Sequence, residues 1–215
     1  MANNNKKVQT KAYYLTELEP KDKVERKESF DVKKMMASLS KGGMLLIGNK
    51  GTGKRSIIEK IQYDIKNGNV PNALKGKKIY ELDLSNFLIQ TDDDDEFAIK
   101  LNNTIAKLKE PDSVLFIENV GLEFQNDIVS NLYQMIFEEM NRGRISVIAT
   151  MTKDDYDDIN ESDVMSLFKP IEIDEPDEDT LDSIIAFQVE ERSKLYGIEV
   201  KHPEGIVESL ISLKI

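Results

Sequence analysis

The stretch Met44-Leu45-Leu46-Ile47-Gly48-Asn49-Lys50-Gly51-Thr52-Gly53-Lys54-Arg55-Ser56 decides the fold. Its first four residues form an apolar run between glycines, which predicts a short buried strand. After it, Ile57, Ile58, Ile61 and Ile65 fall on one helical stripe, so a helix is expected over 54–66. Between strand and helix, Gly48 to Lys54 matches the phosphate-binding pattern G-x-x-x-x-G-K in the strand–turn–helix context it requires. Glycines let consecutive backbone N–H groups curl around an anion, and the helix N-terminus adds partial positive charge. The Lys54 ammonium can reach the outer phosphates. The candidate nucleotide-binding residues are therefore Gly48, Asn49, Lys50, Gly51, Thr52, Gly53, Lys54, Arg55 and Ser56.

Arg55 breaks the pattern. A Ser or Thr is wanted there, because its hydroxyl ligates Mg²⁺. A guanidinium stays protonated and cannot ligate a metal. Ser56 comes one residue late, about 100° further around the helix. Two readings stay open: Arg55 places its own cation where Mg²⁺ would sit, or it points to solvent and leaves a weakened site.

Outward from this loop the chain alternates. Helices are expected over 31–40, 95–108 and 127–142, and strands over 78–84, 114–117, 145–149 and 170–173. Continuous apolar strands alternating with helices predict an α/β core, a five-stranded parallel sheet covered on both faces. From 177 the pattern becomes helical only, over 177–195 and 203–213. The expected organisation is a flexible segment over 1–27, a phosphate-loop core over 28–175 and a partial helical lid over 176–215. The acidic runs at 92–95 and 154–163 read as solvated loops or helix starts.

With 215 residues, 40 Asp and Glu against 29 Lys and Arg, the formal net charge is −11. That argues against nucleic acid as a partner. There is no Cys and one His, His202, which excludes disulfides, thiolate metal sites and cysteine nucleophiles. No apolar run approaches the roughly 20 residues of a membrane span, so no membrane is expected and the cytoplasm is the expected compartment.

A second motif follows at Val114-Leu115-Phe116-Ile117-Glu118-Asn119, four apolar residues and then an acid, the shape of a Walker B strand. Glu118 takes the place of the acid that holds the metal's water shell, and is the weak metal-ligand candidate. Asn119 takes the place of the acid that polarises the attacking water. An amide has no basic oxygen and cannot accept that proton.

Several segments resemble the first ATPase domain of the Clp/heat-shock-100 unfoldases. They are Asn67-Gly68-Asn69-Val70-Pro71-Asn72-Ala73-Leu74-Lys75-Gly76-Lys77 with Leu82-Asp83-Leu84 behind it, Leu15-Thr16-Glu17-Leu18, Ala149 to Tyr156, and Ile173-Asp174-Glu175-Pro176. They occur in the family's order from about Tyr14 onward. The resemblance implies an AAA+ core with a lid, ATP or ADP as cofactor with the need for Mg²⁺ open, and Thr152 as the sensor 1 residue. It also implies losses. Arg55 replaces the metal hydroxyl and Asn119 the catalytic acid. Ser166 and Leu167 stand where arginine fingers belong, and Asp92 to Asp95 replace an aromatic gripping loop.

Three functions follow from this pattern. The first is a Clp-like nucleotide-binding domain, deficient in hydrolysis, that regulates or scaffolds protein assembly or remodelling. The second is an active ATPase domain completed by partner subunits or by a longer chain. The third is a fold-only interaction protein that binds no nucleotide. Protein partners, including other AAA+/Clp subunits, are implied. A monomer or hetero-assembly is expected in preference to a nucleotide-driven homohexamer.

Overall fold

The computed structural model describes residues 14–39, 41–82, 94–120, 127–159 and 165–198. The expected flexible tip, the second lid helix, His202 and the acidic side chains at 92–95 lie outside the described residues.

Elements follow in the order β1 (Leu15–Glu17), α1 (Lys27–Ser38), β2 (Gly42–Ile47), α2 (Lys54–Lys66), β3 (Lys78–Leu82), α3 (Asp94–Leu108), β4 (Ser113–Ile117), α4 (Asp127–Asn141), β5 (Ser146–Met151), α5 (Lys153–Ile159), β6 (Phe168–Glu172) and α6 (Glu178–Tyr196). The sheet runs β1-β3-β4-β5-β2-β6. Five strands are parallel, and β2 lies between β5 and β6.

The period-2 geometry of β2 explains the two cores. Leu45 and Ile47 face one side, where they meet Leu115, Val147 and Ala149 beneath α3 and α4 (Leu101, Ile105, Leu132, Ile136, Phe137). Met44 and Leu46 face the other, against Phe116 and Ile148 and beneath α1 and α2 (Val32, Met36, Ile57, Ile58, Ile61). Both faces are therefore dry, and strands such as Ser113–Ile117 are buried at every position.

The sheet differs from the five-stranded parallel expectation. A sixth strand, β1, pairs antiparallel with β3, with Leu15 opposite Leu82 and Glu17 opposite Tyr80. Leu18 continues this pairing, its N–H donating to the Ile79 carbonyl at 2.8 Å, and is 1% exposed. The flexible segment expected over 1–27 is thus corrected for residues 14–26, which are built into the fold. Three residues reading Leu-Thr-Glu are too short to show a period, so only the pairing reveals them. The acidic stretch after β5 forms helix α5 over Lys153–Ile159.

Helix α6 starts at Asp177, whose carboxylate accepts from the Thr180 N–H at 3.0 Å, and ends at Gly197 in the left-handed region (φ 64°). None of its residues is fully buried. The Lys23 ammonium lies over the rings of Tyr63 on α2 (5.7 Å) and Phe187 on α6 (5.9 Å), a cation–π contact shared by the two helices.

Candidate functional site

The site lies where β2 and β4 end, at the carboxyl edge of the sheet. The chain leaves β2 at Ile47 and re-enters helix at Lys54. Gly48 has no room for a side chain: a Cβ there would sit 2.3 Å from the Ile173 carbonyl oxygen and 3.0 Å from Thr52 Oγ1. Gly51 and Gly53 take left-handed φ values of 89° and 82°, which favour glycine. Thr52 closes the turn, its hydroxyl donating to the Asn49 carbonyl at 3.0 Å. Asn49, Lys50 and Gly51 are exposed at the tip, while Thr52 and Lys54 are buried.

Lys54 folds back over the loop. Its ammonium donates to the carbonyls of Gly48 (2.7 Å) and Asn49 (2.9 Å). Burial pushes its pKa down, and the nearby Glu118 carboxylate pushes the other way.

Arg26, which the sequence did not single out as a site residue, braces this loop from outside. It is 5% exposed. Its guanidinium donates to the Thr52 carbonyl, to the Asp174 carbonyl after β6 (2.8 Å) and to Glu28 (3.3 Å). A Cβ on Gly53 would lie 2.9 Å from Arg26 Nη1, so the guanidinium rests directly on that glycine. Arg26 Nε and Glu28 Oε2 are buried without a hydrogen-bond partner. Beside this loop a cleft is lined by Gly48, Asn49, Thr52, Lys153, Glu172 and Asp174, among others.

The other half of the site answers the question left open at Arg55. Its side chain is turned onto carboxylates and not out into solvent. Nε donates to Glu59 at 2.8 Å, Nη2 to Glu81 at 2.9 Å, and Nη1 to Glu118 at 2.8 Å and to the second oxygen of Glu81. The guanidinium also lies over the Phe116 ring, 5.9 Å from its centroid. These hydrogen bonds, led by the pair to Glu81, push its pKa above the ordinary arginine value against the cost of burial. Glu59 is pushed up chiefly by burial and pulled down by Arg55.

Glu118, expected as a weak metal ligand, thus accepts from a guanidinium instead. Among the described residues no group of three or more His, Asp or Glu is placed to hold a metal ion. Three carboxylates spread around a planar fork do not converge on the roughly 2.1 Å oxygen shell that Mg²⁺ demands. The residues present do not fit that ion.

Asn119 has φ 55°, the one described non-glycine residue in the left-handed region. Asn tolerates that region better than most residues, which gives its presence a local reason. Its N–H donates to Thr150 Oγ1 at 2.9 Å, tying the end of β4 to β5. Thr152 caps helix α5: its hydroxyl accepts from the Asp155 N–H at 3.1 Å and also bonds the Asp155 carboxylate. Ser56 is half-exposed on α2. The structure therefore brings together Gly48, Gly53, Lys54, Arg55 and Glu118, and commits Thr152 to a helix cap.

With this geometry in hand, the comparisons place the chain. Residues 44–174 match the model of the ATPase family associated with various cellular activities (AAA), and the chain belongs to that family. Within it the chain is related to the Clp/Hsp100 proteins. It is 27% identical over 177 residues to the chaperone protein ClpB of Bacteroides thetaiotaomicron, covering 79% of this chain and 20% of that one. It is 26% identical over 199 residues to ClpL of Staphylococcus aureus, the ATP-binding subunit of an ATP-dependent Clp protease, covering 88% and 28%. Its fold matches closed-state Hsp104 with ATPγS and FITC-casein (TM-score 0.76, 23% identity, 91% of this chain and 36% of that one). It also matches the Saccharomyces cerevisiae Hsp104–ADP complex (TM-score 0.72, 23% identity, covering 90% and 29%). The chain thus spans about a fifth to a third of the length of these relatives.

The expected preference for a monomer or hetero-assembly over a nucleotide-driven homohexamer is corrected by these matches, which include Hsp104 with ATPγS and FITC-casein and an Hsp104:casein complex. The expectation leaned on Ser166 and Leu167, which form a single 3₁₀ turn before β6. Two residues in one turn say little about the rest of a subunit's surface. Among the described residues no helix is long and apolar enough to cross a membrane.

Proposed function

We propose that this chain is a Clp-like AAA+ domain that binds ATP or ADP on the Gly48–Lys54 loop, hydrolyses ATP at or near the background rate, and serves as a regulatory or scaffolding module in protein assembly or remodelling. The carrying observation is Arg55 held by Glu59, Glu81 and Glu118. It occupies the position of the metal hydroxyl and engages the one carboxylate at the end of β4. Asn119, beside it, offers no basic oxygen to an attacking water. In phosphoryl transfer the protein contributes mainly positioning and charge stabilisation, so displacing the cation and the base together removes most of what it supplies.

The glycine loop supports binding: its left-handed glycines and the Lys54 ammonium are the parts that grip phosphate. Phosphate release by the purified chain with ATP and MgCl₂ tests the reading. The expected rate is indistinguishable from a Lys54→Ala control. Turnover near about 1 s⁻¹, within the ordinary enzyme range, would refute it.

A second reading rests on coverage. The chain spans 20% of the ClpB relative and 28% of the ClpL relatives. An active ATPase completed by further chain or by neighbouring subunits would use the same loop. It predicts turnover on adding the missing parts, with Arg55 leaving Glu118.

A further inference from the structure

We infer that Arg55 is the resident cation of this site, standing in for the divalent ion, so that the loop takes nucleotide without Mg²⁺. The inference deepens the nucleotide-binding reading above and rests on it.

Charge and geometry both carry the inference. Three carboxylates from three elements converge on one side chain: Glu59 from α2, Glu81 from β3 and Glu118 from the end of β4. Glu81 stands opposite Phe116 in the β3–β4 register, and the guanidinium covers that ring. The sheet therefore fixes where the cation must lie. Four of the five guanidinium N–H groups go to carboxylate oxygens. The fork is planar and rigid, so it holds the carboxylates apart, where a small ion would need them together. A divalent ion brought here would have to displace a guanidinium that is covalently attached and already bonded to all three carboxylates. Lys54, whose charge also acts on Glu118, adds a second cation at the same edge. Arg55 and Lys54 are consecutive, so the chain supplies two fixed positive charges at the start of α2, where the motif supplies one and borrows the other from solution.

Titration calorimetry with ADP, in EDTA and in MgCl₂, tests the inference on the full chain and on Arg55→Ser. Wild type is expected to bind at least as tightly in EDTA. Arg55→Ser restores a hydroxyl and releases Glu118, and is expected to bind about tenfold tighter with Mg²⁺ than without. Strengthening of wild-type binding by Mg²⁺ of about tenfold overturns the inference.

A melting experiment without nucleotide separates this failure from failure of the nucleotide reading. MgCl₂ is expected to leave the wild-type Tm unmoved and to raise that of Arg55→Ser by roughly 2–4 °C, as its uncompensated carboxylates gain a counter-ion. If wild type binds no nucleotide in either buffer, the nucleotide reading and the metal-free ligand fall, and the melting arm alone judges Arg55 as a cation substitute. Equal Mg²⁺ responses in the two proteins overturn that role. Should Arg55→Ser fail to fold, Arg55→Lys keeps the charge without the fork, and is expected to show a smaller Mg²⁺ response. A Mg²⁺ response of about tenfold in Arg55→Lys, which keeps the cation, overturns the inference.

Discussion

On one side of the site, Gly48, Gly53 and Lys54 keep the identities and backbone shapes that a phosphate loop requires. On the other, Arg55 and Glu118 are joined in ion pairs and Asn119 makes a strand-end turn. The first half is held by backbone constraints. Gly48 is pressed against the Ile173 carbonyl, and Gly53 against Arg26, so a change there would disturb the core. The second half is held mainly by side chains, with the Asn119 N–H on Thr150 Oγ1 as its backbone tie. Side chains can be exchanged without moving a strand, provided the charges still balance. The loop and the ion-paired half are thus secured largely by different parts of the chain.

The largest effect is expected from Arg26, which secures the first half. Its pair with Glu28 is almost fully buried, with side-chain exposures of 4% and 9%. Arg26→Met should strand the Glu28 carboxylate and cost about 3–5 kcal/mol in urea unfolding, the usual penalty for breaking a buried pair from one side. Arg26→Met combined with Glu28→Leu should recover part of that loss. If Arg26→Met alone unfolds at the wild-type urea midpoint, the brace does not hold the loop. The orphaned Arg26 Nε and Glu28 Oε2 already mark this pair as imperfectly satisfied.

Next in size is Lys54→Ala, read in ADP affinity. Loss of a charged hydrogen-bond donor costs about 1.5–3 kcal/mol, or roughly ten- to a hundredfold in Kd. Calorimetry beside Arg55→Ser in EDTA sharpens the contrast. Affinity should collapse on losing Lys54 and shift far less on losing Arg55. Equal losses would mean that Arg55 contributes as much to the bound nucleotide as Lys54 does.

How far these halves were legible from sequence follows the same division. The loop is contiguous, and strand, glycines, lysine and helix sit within 13 residues, so local periodicity and spacing expose it. Glu59 was within reach too, since it lies four residues after Arg55 on one helix, the spacing of a side-chain pair. Glu81 was not. Its approach to Arg55 depends on β3 lying beside β4, with Glu81 level with Phe116, and that register is a property of the sheet. Arg26 was hidden for a like reason: its partners Thr52 and Asp174 are 26 and 148 residues away. Strand β1 shows no period in three residues, and its place was decided by the free edge of β3. Contacts within one element could be read, whereas contacts that only the topology creates could not.

The smallest effect separates a functional label from a structural one. Thr152 stands at the end of β5, where a resemblance to Clp proteins implies a residue that senses the outer phosphate. Its hydroxyl is occupied locally, accepting from the Asp155 N–H and bonding the Asp155 carboxylate. That is the geometry of an N-cap, which satisfies an amide of the first helical turn that has no partner within the helix. Thr152→Ala should therefore cost about 1 kcal/mol of stability. Thr152→Ser, which keeps the cap, should cost much less. The ratio of ATP to ADP affinity should be the same in all three proteins, because a hydroxyl bound to its own helix has no preference between the two nucleotides. A sensor would behave otherwise: Thr152→Ala would weaken ATP selectively, and Thr152→Ser would restore it. Selective loss of ATP affinity would place Thr152 with the loop, on the side of the site that still reads phosphate. Loss of stability alone would place it with Asn119, as a residue kept for the turn it makes.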